Sequence, residues 1–313
     1  MSSTRPDIAI VGSINMDLVV RCEALPQPGE TILAKSSSEI CGGKGANQAV
    51  AATRADGNVR MIGRVGDDTF SNCLIRTLEQ EQICCDAIQR TADCASGMAI
   101  VAVEQGGQNT IMVVPGANGR VGVDDVQAAE DIITAADVLL LQLEIPAEAV
   151  LAAIEIARKS GVRIILDPAP AMRVWPQDLL NVDVLCPNES EAATLLGRPV
   201  KSIDDAESAA RELNQLGIQQ VAITLGSRGT MVCDGEAPQL IEPCVITAVD
   251  TTAAGDAFAG ALAVRWAEGA NFIEAVRFAN AAGALAASRK GAQPGMAVRE
   301  AIDALLQGQT NDK

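Results

Sequence analysis

IAIVGSIN, residues 8–15, is a short apolar run that ends in polar and turn residues. It reads as a buried β-strand running into a loop. The form recurs in VRMIGRVGDD (59–68), DVLLLQLE (137–144), VRIILDPAPA (162–171), VDVLCPNE (182–189) and QVAITLGSRG (220–229). Helical spacing fills the intervals at 45–55, 69–81, 123–135, 147–159, 189–196 and 204–216. Strands alternating with helices predict an α/β chain with a mostly parallel central sheet covered on both faces. Ligands of such sheets bind beyond the carboxyl ends of the strands, where the polar ends of these runs fall.

Two stretches break the rhythm. Residues 16–40 carry short alternating pieces around a Pro-Gly turn, and 97–118 read as a hairpin around Gly106-Gly107. Together they predict a small β lid over the strand ends, within a single domain spanning 1–313. Beyond residue 255 the pattern is mainly helical.

The chain has 313 residues, 48% hydrophobic and 20% charged, as expected of a soluble globular protein. Its formal net charge of −16 argues against a nucleic-acid surface or attraction to anionic lipid. The polar start and the strand-length apolar runs suggest neither a signal peptide nor a membrane span. Nine cysteines without a C-x-x-C pattern suggest reduced thiols in a cytoplasm. Histidine and tyrosine do not occur, so proton transfer falls to Asp, Glu, Lys or Cys.

The motifs carry the chemistry. GGKGAN (42–47) is not a Walker A loop, because Ser38 stands where its first Gly belongs and Gly45 follows Lys44. Nor is it G-x-G-x-x-G, since Gln48 fills the last place. Its glycines still allow close ligand approach, with Lys44 and Asn47 as donors; a flexible turn with a solvated lysine is the plainer reading. In GSINMD, Asn15 and Asp17 share one side of an extended backbone and can meet adjacent hydroxyls, although a polar turn explains them more simply. Asn188 and Glu191 in PNESEA form either a capping box or support for a hydrated magnesium ion, and spacing favours the cap. TLGSRG (224–229) wraps a nucleotide or is only a hairpin turn. In DTTAAGDAFAG (250–260), Ala253, Ala254 and Gly255 leave backbone N–H groups uncovered at a helix N-terminus, which suits anionic charge. Asp256 beside them can accept a hydroxyl proton, or simply favour the helix dipole.

Taken together, VGSINMD, PGET, GGKGANQAVAA, LQLE, DPAPA, PNESEA, ITLGSRG, DTTAAGDAF and RKGAQPG resemble the ribokinase-like family of sugar and nucleoside kinases, in order and nearly end to end. The resemblance implies a three-layer α/β sandwich whose β lid often forms a homodimer interface. It implies D-ribose held by Asn15, Asp17, Gly43, Lys44, Asn47 and Glu144, with Asp256 activating the 5-hydroxyl. Ala253, Ala254 and Gly255 would form the anion hole. ATP would lie along Thr224, Gly226, Ser227 and Gly229, near Gly255, Asn188 and Asn280. Glu191 would support Mg2+ through water. A potassium ion would be bound by Asp250, Thr252, Ala286, Arg289 and Gly291, largely through carbonyls. The chain departs from the pattern at Asp167 (often Asn), Gly295 (often Ser) and Asn280 (sometimes His).

Overall fold

In the computed structural model, which describes residues 5–106 and 109–311, all six apolar runs become strands of one sheet. The chain begins β1 (Asp7–Val11), β2 (Asn15–Arg21), β3 (Ser36–Gly42), α1 (Lys44–Arg54), β4 (Asn58–Gly66), α2 (Ser71–Gln80) and β5 (Cys84–Thr91). It continues through β6 (Gly97–Val103), β7 (Asn109–Val114), α3 (Val123–Ala128), α4 (Glu130–Thr134), β8 (Val138–Leu141), α5 (Ala147–Ser160) and β9 (Arg163–Leu166). Then come β10 (Val184–Leu185), α6 (Glu189–Leu196), α7 (Ile203–Gln215), β11 (Gln220–Thr224), β12 (Thr230–Cys233) and β13 (Gln239–Ile241). Four helices close it: α8 (Ala254–Ala267), α9 (Phe272–Ala287), α10 (Ala292–Gly295) and α11 (Arg299–Asn311).

The main sheet runs β13-β12-β11-β10-β9-β8-β1-β4-β5. Its pairings from β11 through β5 are all parallel. The period-2 alternation of each strand divides the core. Ile8, Ile10 and Leu140 pack on one face with α1, α8 and α9. Ala9, Val11, Leu139 and Leu141 pack on the other with α5 and α7. Fully burying one such Ile or Leu side chain contributes about 1.5–3 kcal/mol, so both helical layers are firmly held.

Three strands go beyond the sequence reading. β5 is an edge strand with no fully buried position, so its apolar alternation is weak. β12 and β13 are short and antiparallel: TLGSRG turns the chain back before β12, with Gly226 and Gly229 at φ of 58° and 94°, and a second turn at Gly235 (φ 93°) reverses it again before β13. The helix expected over 123–135 breaks at Ala129, whose φ and ψ of −101° and 13° leave the helical range. The helix expected from 69 starts at Ser71, where Asp68 Oδ1 accepts the Phe70 and Ser71 amides.

The lid is a separate four-stranded sheet in the order β3-β2-β6-β7. Three residues join β1 to β2, so the lid rises directly from the carboxyl end of a central strand. Gly106 lies in the turn between β6 and β7; Gly107, the other half of the expected turn, lies outside the described residues.

Candidate active site

The carboxyl ends of β1, β8 and β9, the start of α1 and the start of α8 converge beneath the lid. Gly43 makes the entry to α1 possible: its φ is 91°, and a Cβ there would meet Asn15 N at 2.7 Å. α1 then presents Lys44, Asn47 and Gln48 from its first turn, a spacing that places 44 and 48 on one face.

These side chains interlock around Asp256, which is only 5% exposed. Asn47 Nδ2 donates to Asp256 Oδ2 at 3.0 Å, and Gln48 Nε2 donates to Oδ1 at 3.2 Å. Gln48 Nε2 also reaches Asp167 Oδ2 at 2.8 Å. Lys44 Nζ stands 3.5 Å from Asp167 Oδ2 and 3.8 Å from Asp256 Oδ1. Behind them Gln142 Nε2 donates to Gln48 Oε1 at 2.6 Å, which fixes the orientation of that amide. Gln293 Nε2 donates to Asn47 Oδ1 at 3.2 Å.

The electrostatics follow from this crowding. Burial opposes the charge on Lys44, but Asp167, Asp256, Glu191 and Glu144 outweigh it and hold the ammonium protonated. Burial pushes Asp167 up to about 7, Lys44 opposing and Glu191 and Asp256 adding to the rise. The departure from the expected Asn thus places a second buried acid beside Asp256.

The lid side supplies the other polar groups. Asn15 Oδ1 accepts from Asn118 Nδ2 at 2.6 Å, which leaves the Asn15 amide group as a donor. Asp17 Oδ1 is buried with no hydrogen-bond partner. Burial, then Glu144 and Asp256, push the Asp17 carboxyl up to about 7. Glu144 Oε2 receives Ser13 Oγ at 2.5 Å and the Lys44 backbone N–H at 3.2 Å. Of the six residues expected at the sugar, Gly43 abuts the Asn15 backbone, Glu144 accepts the Lys44 N–H, and Asp17 lies near enough to Glu144 and Asp256 to feel their charge. Asn47 differs in emphasis, since both ends of its amide already serve Asp256 and Gln293.

A cavity of about 750 Å³ opens between β11, β12, α8 and α9, with Ala254 and Gly255 at the start of α8 in its wall. Asn188, Thr224, Gly226, Ser227, Gly229, Gly255 and Asn280 all line it. TLGSRG is therefore both the hairpin turn and a wall of this cavity. Asn280 Oδ1 accepts from Thr230 Oγ1 at 2.6 Å, while its Nδ2 is buried without a partner.

The N-cap of α8 is Ala253, whose left-handed φ of 59° is unusual for a residue with a Cβ. Ala254 N donates to Thr251 O at 3.2 Å, so its N–H is partly engaged, contrary to the expectation that all three were uncovered. A side chain at Gly255 would meet no protein atom within 4 Å and would project into open space. Asn188 and Glu191 form the capping box: Asn188 Oδ1 accepts Glu191 N at 2.9 Å, and Glu191 Oε2 accepts Asn188 N at 2.7 Å. Burial raises the Glu191 carboxyl above its ordinary value despite the Asn188 hydrogen bonds and Lys44.

The segments 250–252 and 286–291 are hydrogen-bonded to each other. Val249 N and Asp250 N donate to Ala287 O at 2.8 and 3.1 Å, and Gly291 N donates to Asp250 Oδ2 at 2.9 Å. Asp250 Oδ1 takes the Thr252 N–H and hydroxyl at 3.0 and 2.7 Å. Burial opposes ionisation of Asp250, but these bonds hold its carboxyl below the usual range. Ala286 O accepts Arg289 N at 3.2 Å, and a Cβ at Gly295 would come equally close to that carbonyl.

Gln48, Gln142, Ser13, Asn118 and Gln293 were missed as site residues. A signal existed for two of them: Gln48 lies in an Ala/Val-rich helix and Gln142 in the apolar run VLLLQLE, where an uncharged amide needs a buried partner.

Comparison with known proteins matches this architecture. The family model described as pfkB family carbohydrate kinase matches residues 5–299. A ribokinase from Haemophilus influenzae is 37% identical over 296 residues, covering 95% of this chain and 97% of that protein. A deoxyribokinase from Salmonella typhi is 34% identical over 288 residues, covering 92% and 94%. The structure of an Arabidopsis thaliana ribokinase complexed with ribose and ATP superposes with a TM-score of 0.88 at 35% identity, covering 97% and 99%. With an interlocked buried acid at the start of α8, a second small sheet and a cavity lined in part by Gly255, the chain belongs to the pfkB family of carbohydrate kinases.

Proposed function

We propose that this protein transfers the γ-phosphoryl group of ATP to the 5-hydroxyl of D-ribose, giving ribose 5-phosphate and ADP. The observation that carries the reading is buried Asp256: Asn47 and Gln48 hold its two oxygens, and it directly follows Ala254 and Gly255, which line the 750 Å³ cavity. The orphaned Asp17 Oδ1 and the open donor end of Asn15 fit sugar hydroxyls. Gly43, Lys44 and Glu144 close that pocket, and Asn47 reaches it from α1.

In this reading Asp256 takes the proton of the attacking hydroxyl. Asn47 and Gln48 orient its two oxygens, and Lys44 balances the charge. Gly255 with Ala253, and Ala254 through its remaining capacity, receive the phosphoryl charge at the α8 N-terminus. Catalysis is then mainly positioning and charge stabilisation. ATP occupies the cavity, whose volume lies in the usual range for such ligands. The unpartnered Asn280 Nδ2 provides a donor to it.

Magnesium fits the same region: Glu191 keeps one carboxylate oxygen outside its capping bond and would meet the ion through water. The ion supplies charge neutralisation on the phosphates. Potassium fits the joined turns at Asp250, Thr252, Ala286, Arg289 and Gly291, whose carbonyls offer the oxygen donors that a hard cation prefers. Activity should be higher in potassium than in sodium at matched ionic strength, and equal rates would remove that site. The half-exposed β7 residues Ile111, Met112, Val113 and Val114 support a homodimer through the lid. Among the described residues no helix is long and apolar enough to cross a membrane. The nine cysteines form no disulfide among the described residues, which supports a cytoplasmic setting.

The deoxyribokinase relative makes 2-deoxyribose the nearest alternative substrate. An ADP-release assay on ribose, 2-deoxyribose, fructose and a nucleoside decides. Ribose should be clearly preferred, because a site built around a hydroxyl rejects an analogue lacking it.

A further inference from the structure

Two thiols meet where the lid joins the body. Cys41 Sγ and Cys73 Sγ lie 3.9 Å apart. Cys41 is the penultimate residue of β3, and Cys73 is an exposed residue in the first turn of α2. Thr77, one turn further along α2, ties them together: its Oγ1 is 3.3 Å from Cys41 Sγ and donates to Cys73 O at 2.9 Å. The other adjacent thiols, Cys84 and Cys85, are successive residues of β5 and point to opposite faces.

We propose that Cys41 and Cys73 form an oxidation site that a hydroperoxide closes to a disulfide, and that this bridge slows sugar phosphorylation; the second half rests on the function proposed above. The exposed Cys73 thiolate attacks the peroxide oxygen, which breaks the O–O bond, forms a sulfenic acid and releases an alcohol, or water from hydrogen peroxide. Cys41 then gives up its proton and attacks that sulfur, forming the S–S bond and releasing water. Two thiols are oxidised by two electrons in all, and one peroxide is reduced. Burial pushes the Cys41 thiol up, which keeps it from reacting first and suits it to the resolving role.

The bridge reaches the sugar site through β3. Closing the sulfurs to about 2.05 Å draws the lid strand and α2 together. β3 is an edge strand of the lid, hydrogen-bonded on one side only. The residue after Cys41 is Gly42, which pairs with Asn15 and whose Cα abuts the Asp17 carboxylate so closely that a side chain there would overlap it. A shift of Cys41 therefore moves the contact that places Asp17. A displacement of about 1 Å can cost on the order of 100-fold in rate.

The experiment is graded hydrogen peroxide treatment of the full chain, followed by thiol blocking and non-reducing peptide mass spectrometry. Ribose kcat/KM is measured before oxidation, after it, and after a dithiol reductant. We expect a peptide pair linked through Cys41 and Cys73, a fall in kcat/KM of about tenfold or more, and recovery on reduction. Cys73→Ser, at an exposed position, should show parental activity when reduced and no linked pair or fall on oxidation. Failure of the 41–73 link to form at doses that oxidise other thiols overturns the site. A link with unchanged kcat/KM overturns its effect on the sugar pocket. Reduced protein inert toward ribose would fail the functional reading alone, because the linked peptide is read without turnover.

Discussion

The two halves of the cleft are built by different physics. Around Asp256 and Asp167, amides and an ammonium interlock through named hydrogen bonds and ion pairs. Across the start of α8, the cavity is walled mainly by glycines, small residues and the apolar Val245, Ile246 and Phe258, with Asn188, Glu189 and Asn280 as its largest polar side chains. A buried polar network holds its members in one arrangement, because leaving any of them unpaired is costly. A cavity of small residues selects by shape and leaves its ligand's polar contacts to a few sites. Substitutions on the first side should therefore act on chemistry and sugar selection, and on the second side on nucleotide affinity.

The sharpest test of that division is Asp256→Asn. It preserves shape and removes the base, so kcat should fall roughly 10²- to 10⁴-fold while the KM values change little. If Asp256 serves only the helix dipole, the variant should lose under about 1 kcal/mol of stability with near-normal turnover. Steady-state kinetics and a melting curve on the same preparation separate the outcomes.

Next in size is Asp17→Ala. Losing a hydrogen bond to a charged group is worth about 1.5–3 kcal/mol, so the ribose KM should rise roughly 10- to 150-fold with the ATP KM unchanged. A matching rise in both constants would erase the distinction between the halves. The mirror experiment is Asn280→Ala, which removes one neutral donor from the cavity. The ATP KM should rise only about 2- to 10-fold, with ribose kinetics preserved.

The smallest expected effect is on stability. Asp17 is pushed up to about 7 from an ordinary 3.8. The folded chain therefore binds a proton between about 4 and 7 that the unfolded chain has released, and this contribution is lost as pH rises through that window. Asp17→Asn removes the titration, so its Tm should gain on the parent by a few degrees from pH 4 to 7, then level off. A Tm difference that is flat with pH would show that the Asp17 carboxyl is not raised.

Local pattern carried most of the fold. All six apolar runs are strands, and the residue-3.6 spacing located α1, α5, α6 and α7 to within a residue or two. It failed where alternation was weak, at the edge strand β5, and where strands were too short to show a period, at β12 and β13. The site was legible for residues in glycine-rich or charged motifs. Gln48 and Gln142 left only the signal of an amide in an apolar stretch and Gln293 left none, because their partners lie 94 to 246 positions away in sequence.

The sequence by itself determined the class of structure, the segments that build the smaller sheet, and which residue types could move a proton in a chain without histidine. Periodicity and composition are local properties, and they can be read without knowing what touches what. Only the tertiary structure decided that Asp167 lies beside Lys44 and Gln48, that Asn47 serves Asp256, and that Cys41 meets Cys73. Those pairings arise where β1, β8, β9, α1 and α8 end at one place. Their energies come from distance and burial, which a linear order of residues does not contain.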